Sequence, residues 1–210
     1  MIIELTSKLD TFKPLKFKSG LNILVAERHE SSGAKETRNG TGKTSFVELV
    51  HFLLSDKRNA DDDFHKPEII GSEFCGKFSD RGIDFVVCKK SSPKTDELKK
   101  DGEDITAKNL RKELALRWFG LSEEDTAPTY GPKFGALLAY FVRKERNGGF
   151  ASPIMNGTSQ QGWDSQVSLS YLLGFDWRLP QQLQVSVPSR TFALTSAVCH
   201  SSSRGRHCAG

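Results

Sequence analysis

The sequence of 210 residues contains little cysteine and no long apolar segment. Four cysteines, none in a C-x-x-C pair, are too few for the disulfide framework of a small secreted domain. Of these, Cys75 and Cys88 are predicted to be small core residues in strands, while Cys199 and Cys208 lie near the carboxyl end. No run approaches the roughly 18 apolar residues of a membrane span, and the amino terminus lacks the order of a signal peptide. These absences predict a cytoplasmic protein with no membrane partner.

Acidic residues and lysine are absent from residues 178–210, which contain four arginines. Without these four, the 30 basic residues fall to 26 and balance the 26 acidic ones, so the formal charge of +4 comes from this segment. Net charge therefore does not indicate a DNA-binding face. Composition predicts a domain over residues 1–183 and a disordered tail over 184–210. The tail's adjacent Cys and His pairs do not have the usual spacing of zinc ligands.

Residues 38–45 combine glycines, a lysine and a hydroxyl at a spacing typical of a phosphate-binding loop. Gly40 and Gly42 let backbone N–H groups approach phosphate oxygens, and Lys43 is placed to reach the β- and γ-phosphates. The Thr44 hydroxyl is the predicted Mg²⁺ ligand, next to the positive end of a helix dipole. The sequence thus predicts binding of ATP and Mg²⁺ by Arg38, Asn39, Gly40, Thr41, Gly42, Lys43, Thr44 and Ser45.

The loop has one irregularity, because Thr37 occupies the place of the first glycine in the full P-loop pattern. Asn39 partly compensates, since asparagine tolerates positive φ. The context favours the loop: an apolar run at 21–26 predicts a buried strand, and residues 46–54 predict a buried helix. The alternative is a glycine-containing turn before an ordinary helix. Residues 27–37 predict a polar excursion over the nucleotide.

Further elements are predicted from periodicity and turn residues. Asp101-Gly102 predicts a turn within the polar segment 90–104. A basic cluster at 143–146 is interpreted as a solvated helix end, with a surface facing nucleotide or a partner as the alternative. The predicted strands are 1–5, 12–17 and a hairpin of 73–79 with 83–89, and the predicted helices are 106–120, 134–143 and 165–173.

Together, the first strands, the delayed loop and the helix segment 50–54 resemble the head of an SMC/RecF/RecN-type ATPase. Within that group they resemble the YydD-like subfamily, as do the segments 140–150, 163–167 and 171–177. The resemblance implies an α/β fold, the amino-terminal lobe of an ABC/SMC-type P-loop NTPase head with a mixed sheet and flanking helices. It also implies a head–head homodimer that sandwiches ATP, possible DNA binding, and a role in DNA maintenance or phage defence.

Several parts of a complete ATPase head are missing from the sequence, which therefore resembles a truncated one. No heptad pattern, no L-S-G-G-Q-like signature and no apolar strand ending in Asp-Glu occurs, so complete hydrolysis is predicted to need parts from outside this chain. Asp176 follows an apolar run but precedes Trp177, which favours a turn or cap role. Gln161 is a weak candidate for a metal-linked glutamine, with Gln160 and Gln166 as competitors.

Two other functions stay open at this point. A self-contained P-loop kinase or small NTPase would need a lid and Walker B carboxylates of its own. A non-catalytic remnant or interaction module would keep the loop sequence without binding nucleotide well. No catalytic residue is identified under any of the three hypotheses.

Overall fold

A computed structural model of the protein describes residues 1–24, 43–54 and 63–186. Its centre is a six-stranded sheet in the order β2-β1-β3-β4-β5-β6, in which all described strand pairs are antiparallel. The α/β class is confirmed, whereas the parallel pairing of a mixed sheet is absent from the described strands. The strands are β1 Ile2–Ser7, β2 Leu15–Lys16, β3 Glu73–Asp80, β4 Ile83–Lys90, β5 Glu97–Lys100 and β6 Glu103–Asp104.

The β3–β4 hairpin at the middle of the sheet is confirmed in strands and turn. Arg81 has φ 50° and Gly82 has φ 80°, the two positive φ values that a type I′ turn requires. A second turn of this kind joins β5 to β6 through Asp101 and Gly102. The turn was predicted there but the two strands were not, because their residues are mostly charged and show no apolar alternation.

The described residues also form five α-helices with defined bounds, and residues 178–186 are helical. Thr106 begins the second helix, since its Oγ1 accepts a hydrogen bond from Asn109 N at 3.2 Å, and Gly120 ends it at φ 70°. Both predicted ends of that helix are confirmed. The helices are α1 Lys43–Leu54, α2 Ala107–Phe119, α3 Glu123–Thr126, α4 Phe134–Phe141 and α5 Gly162–Leu172, with short 3-10 helices at Asp63–His65 and Glu145–Asn147.

The core lies between one face of the sheet and the helices α1, α2 and α4. Phe78 stacks on Phe85 across the hairpin at 5.5 Å between ring centroids, and Trp118 of α2 covers both rings. From α1, Phe52 stacks on Phe64 at 4.7 Å. Burial of these large rings supplies much of the apolar area that holds the helices on the sheet.

The two strand cysteines lie on the opposite face of the sheet. Cys75 and Cys88 are directly opposed in the β3–β4 register, with Cα atoms 4.1 Å apart, and are joined by a disulfide. Their predicted place in strands is confirmed. Their predicted place in the core is wrong, because side chains alternate along a strand and Phe74, Phe85 and the residues in phase with them occupy the core face.

The predicted strand at 21–26 is wrong for its described part. Residues 21–24 form no strand, and the side chains of Leu21 and Ile23 are 87 % and 74 % exposed. A turn precedes them, in which Gly20 has φ 89° and the Asn22 side chain bonds to the backbone N and O of Lys18. This apolar run finds no partner among the described strands.

None of the described helices is both long and apolar enough to cross a membrane.

Candidate nucleotide-binding site

The predicted phosphate loop meets the described structure at the start of α1. Lys43 is the first residue of this helix, and Thr44 and Ser45 follow in its first turn with exposed side chains. The other predicted residues of the loop, 38–42, lie outside the described residues, as do the polar excursion and Thr37. Three of the eight predicted residues are therefore placed at one helix terminus, where unpaired backbone N–H groups point away from the helix.

The rest of α1 is held firmly by the core. Leu49, Val50, Phe52 and Leu53 are each 1 % exposed, so the predicted buried helix is confirmed. Thr44 and Ser45 are exposed, whereas residues 48–54 are buried. The two hydroxyls at the start of α1 are thus presented to solvent by a helix that the core holds in place.

A buried carboxylate lies one helical turn beyond Thr44. Glu48 is 2 % exposed, and its Oε2 accepts from Lys144 Nζ at 3.0 Å and from Arg146 Nη2 at 2.9 Å. Residues four apart in a helix lie on the same side, so this pair of cations is attached to the side of α1 that bears Thr44. Two cations therefore converge on one buried carboxylate.

A second contact fixes the same segment to α1. His51 Nε2 lies 2.6 Å from Val142 O, one turn beyond Glu48. Lys144 itself is 8 % exposed. The segment that follows α4 is therefore bound to α1 at two successive turns.

The basic cluster at 143–146 is not a solvated helix end, and that interpretation is wrong. Arg143 donates to Ser152 O at 2.5 Å, and its guanidinium lies over the rings of Tyr140 and Phe150 at 5.6 and 5.1 Å. The backbone turns back at Gly148, which has φ 96°. This turn and these contacts hold the Arg143 side chain against its own loop. Backbone carbonyl oxygens accept its hydrogen bonds there, in place of the water that would surround a solvated helix end.

The glutamines predicted as metal-linked candidates lie at or near the start of α5. Gln161 is the exposed N-cap residue of α5 and makes no side-chain cap bond. Gln160 has a structural role, because its Oε1 accepts from Asn156 N and its Nε2 donates to Asp164, both at 2.8 Å. Gln166 is exposed on the helix. Within the described ranges, no group of three or more His, Cys, Asp or Glu side chains is arranged to hold a metal ion.

Asp176 follows the turn at Gly174, which has φ 76°. Its Oδ1 accepts from the backbone N of Arg178 at 3.0 Å. This bond is typical of the turn or cap role that the sequence favours for this residue. The domain boundary predicted at residue 183 falls within the helical residues 178–186, and residues 187–210 lie outside the described residues.

Glu48 and His51 are functional-site neighbours that were not predicted, although the sequence carries a signal for them. They are the only polar residues in an otherwise apolar run from Phe46 to Leu54. A charged group in such a run must find a partner inside the protein, because an isolated buried charge is costly. The partners, 91 and 98 residues away, could not be identified from spacing alone.

No family model matches the chain, and the search of curated proteins returns no match. The resemblance to an SMC/RecF/RecN-type head therefore stays a prediction.

Proposed function

We propose that this chain is the ATP-binding, amino-terminal lobe of an SMC-like ATPase of the YydD-like type. It binds ATP and Mg²⁺ through residues 38–45. The observation that carries the proposal is the start of α1 at Lys43, which puts the Gly-Lys-Thr-Ser stretch at a helix amino terminus. Backbone N–H groups and the positive dipole end favour phosphate there. The exposed Thr44 hydroxyl is available to Mg²⁺.

The charge beside α1 supports this proposal. Arg146 is ion-paired to buried Glu48 yet keeps 41 % of its side chain exposed. The pair holds a guanidinium on the side of α1 that leads to Thr44. An arginine in this place complements the terminal phosphate of a nucleotide bound at the helix start.

The exposed apolar run at 21–24 supports the view that this is one part of a larger ATPase. Leu21 and Ile23 belong to a β-branched, apolar run that is typical of a buried strand, yet both are more than two thirds exposed. In the proposed protein, strands of a carboxy-terminal lobe cover this run and supply the signature motif and Walker B carboxylates. The head–head homodimer, DNA as a partner, DNA maintenance or phage defence, and the cytoplasm belong to the same proposal.

The first experiment measures binding of ATP with Mg²⁺ by calorimetry in wild type, Lys43→Ala and Lys94→Ala. Lys94 is an exposed lysine in the loop after β4, which makes it a matched control. Loss of Lys43 is expected to weaken ATP binding about 10- to 100-fold, the value of a charge-assisted hydrogen bond, while the control is unchanged. Equal ATP affinity in wild type and Lys43→Ala rejects residues 38–45 as the site.

The second experiment separates the proposed function from the two alternatives. The purified chain is expected to bind ATP, melt at a higher temperature with it, and show no steady ATP turnover. Steady turnover by the monomer would instead support a self-contained kinase or NTPase. An unchanged melting temperature at saturating ATP would support a non-catalytic module. Thr44→Ala is expected to weaken ATP binding only when Mg²⁺ is present.

A further inference from the structure

The disulfide on the outer face of the sheet lies among charged, solvent-accessible side chains. Cys75 and Cys88 are both half-buried, on the side of β3 and β4 that faces away from the aromatic core. Lys77 and Lys90 are the next residues along their strands on this face, and both are partly exposed. Small solutes can therefore approach this disulfide without unfolding of the core.

The two sulfurs have different electrostatic surroundings. In the β4–β5 register Cys88 is directly opposite Lys99, whose closest carboxylate, on the exposed Asp104, is 3.9 Å away. In the β1–β3 register Cys75 is opposite the neutral Thr6; on its own strand it lies between Glu73 and Lys77, and Lys77 is paired with Asp84 at 3.0 Å. Directly opposed residues have Cβ atoms about 5 Å apart, which brings the Lys99 side chain within reach of Cys88. A neighbouring ammonium of this kind stabilises a thiolate at Cys88 more than at Cys75.

A groove of about 400 Å³ is lined by residues that neighbour the two cysteines in the sheet. Its charged lining includes Glu73, two residues before Cys75, and Lys90, two residues after Cys88. Lys8, Glu97 and Lys99 also line it, and two ion pairs, Lys8 with Glu73 and Lys90 with Glu97, lie along the groove. A groove with both charge signs is complementary to a small thiol that carries both amino and carboxylate groups.

We propose that Cys75 and Cys88 form a thiol–disulfide exchange site for low-molecular-weight thiols of the glutathione type. The incoming thiolate attacks Sγ of Cys75 and forms a mixed disulfide; the Cys75–Cys88 bond breaks, and Cys88 leaves as a thiolate beside Lys99. A second small thiolate attacks the mixed disulfide at the small molecule's sulfur. It releases the oxidised small disulfide and leaves Cys75 as a thiolate, which takes up a proton. Two small thiols thus supply the two electrons, and the oxidised small disulfide drives the reverse reaction.

The sheet keeps its structure in both redox states. The β3–β4 hairpin is aligned from Glu73↔Lys90 to Asp80↔Ile83, and its core face is held by the stacked rings of Phe78 and Phe85. These contacts do not depend on the sulfurs. Exchange therefore changes the chemistry of the outer face while the fold persists.

The first test uses the full chain carrying Cys199→Ser and Cys208→Ser, so that only two sulfurs of cysteine remain. The protein is equilibrated at pH 7 with mixtures of reduced and oxidised glutathione, alkylated, and weighed by intact mass spectrometry. The expected result is reversible conversion between disulfide and dithiol with unchanged circular dichroism. A disulfide that glutathione reduces only after addition of urea would overturn the proposal, as would thiols that oxidised glutathione leaves unchanged.

The second test fixes the direction of attack and the role of Lys99. Cys75→Ser is expected to trap glutathione on Cys88 from oxidised glutathione faster than Cys88→Ser traps it on Cys75, because more of Cys88 is thiolate at pH 7 and the same thiolate is the better leaving group. Lys99→Glu is expected to slow reduction of the disulfide about three- to tenfold, because the leaving thiolate loses its cation. Lys108→Glu, on α2 and exposed, is the matched control and is expected to have no effect.

Two outcomes of this second test would overturn the assignment. One is faster trapping on Cys75 than on Cys88, and the other is equal reduction rates in Lys99→Glu and Lys108→Glu. Neutral 2-mercaptoethanol serves as a second reductant that does not need the charged groove. A larger effect of Lys99→Glu with glutathione than with 2-mercaptoethanol is expected, and equal effects would remove the groove from the proposal.

Discussion

The carboxylate of Glu48 accepts a hydrogen bond from Arg146 at 2.9 Å, across 98 residues of sequence. The bond joins the helix that begins with the predicted phosphate-binding lysine to the segment that follows α4. Lys144 shares the same oxygen at 3.0 Å. This junction connects the candidate nucleotide site to a part of the chain whose basic residues had no clear role in the sequence.

Removal of the buried charge at Glu48 is expected to destabilise the protein. In Glu48→Gln, two cations lose the carboxylate that faces them, and we expect the free energy of unfolding to fall by about 3 kcal/mol. Glu123→Gln is the control, because Glu123 pairs with Lys112 at 2.7 Å but is 78 % exposed. Its effect is expected to be much smaller, because water screens an exposed ion pair. Urea unfolding measures both, and equal losses would contradict a buried role for Glu48.

Truncation to alanine is expected to reduce stability strongly at one leucine of α2 and hardly at all at another. Leu114 is 0 % exposed and belongs to the core, so Leu114→Ala is expected to cost about 2–5 kcal/mol through lost burial and a cavity. Leu116 is 60 % exposed, and Leu116→Ala should change stability by less than about 0.5 kcal/mol. Thermal unfolding of the two variants makes the comparison. Similar melting temperatures would show that α2 does not pack on the sheet as described.

Substitution by alanine is expected to have opposite effects on stability at two glycines, one in the hairpin turn and one in α4. Gly82 has φ 80°, so Gly82→Ala is expected to cost about 1 kcal/mol of backbone strain. Gly135 lies within α4, and an added Cβ there would meet no atom within 4 Å. Gly135→Ala is therefore expected to stabilise the protein by about 0.5–1 kcal/mol. Chemical denaturation that gives both variants the same sign would contradict the turn geometry.

Because of Asp96, the stability of the protein is expected to depend on pH in the acid range. Burial raises the pKa of Asp96, but the hydrogen bonds from His65 and from Ser92 N, with the charge of Lys89, outweigh burial and hold the pKa below its usual range. A lowered folded-state pKa gives stability that is present above about pH 3.9 and is lost as pH falls through the folded value.

At pH 7, Asp96→Asn is expected to be about 3 kcal/mol less stable than wild type, because the ion pair with Lys89 is buried. This difference should narrow as pH falls from 5 to 3, since only the wild-type carboxylate becomes protonated. Asp10→Asn, at an exposed position, is expected to give a constant difference near zero. Unfolding curves at several pH values check this, and a difference that widens in acid would reverse the sign of the argument.

Local sequence signals predicted the elements whose structure is set by neighbours in the chain. Thr106 and Gly120 mark the two ends of α2 because capping and positive φ depend on residues within one turn. The β3–β4 turn at Arg81-Gly82 is local in the same way. The charged strands β5 and β6 were missed, because the pairing of β5 with β4 and of β6 with β5 depends on tertiary position and not on alternation.

The sequence by itself determined the caps, the hairpin, the buried helix α1 and a Lys-Thr-Ser stretch at its amino end, because these follow from backbone preferences and short-range periodicity. Only the tertiary structure decided that Glu48 pairs with Arg146, that Cys75 and Cys88 face away from the core, and that residues 21–24 are exposed. Each of these depends on which distant segment arrives beside the residue, and long-range pairing of charges, sulfurs and strands leaves no periodic signal in a single sequence.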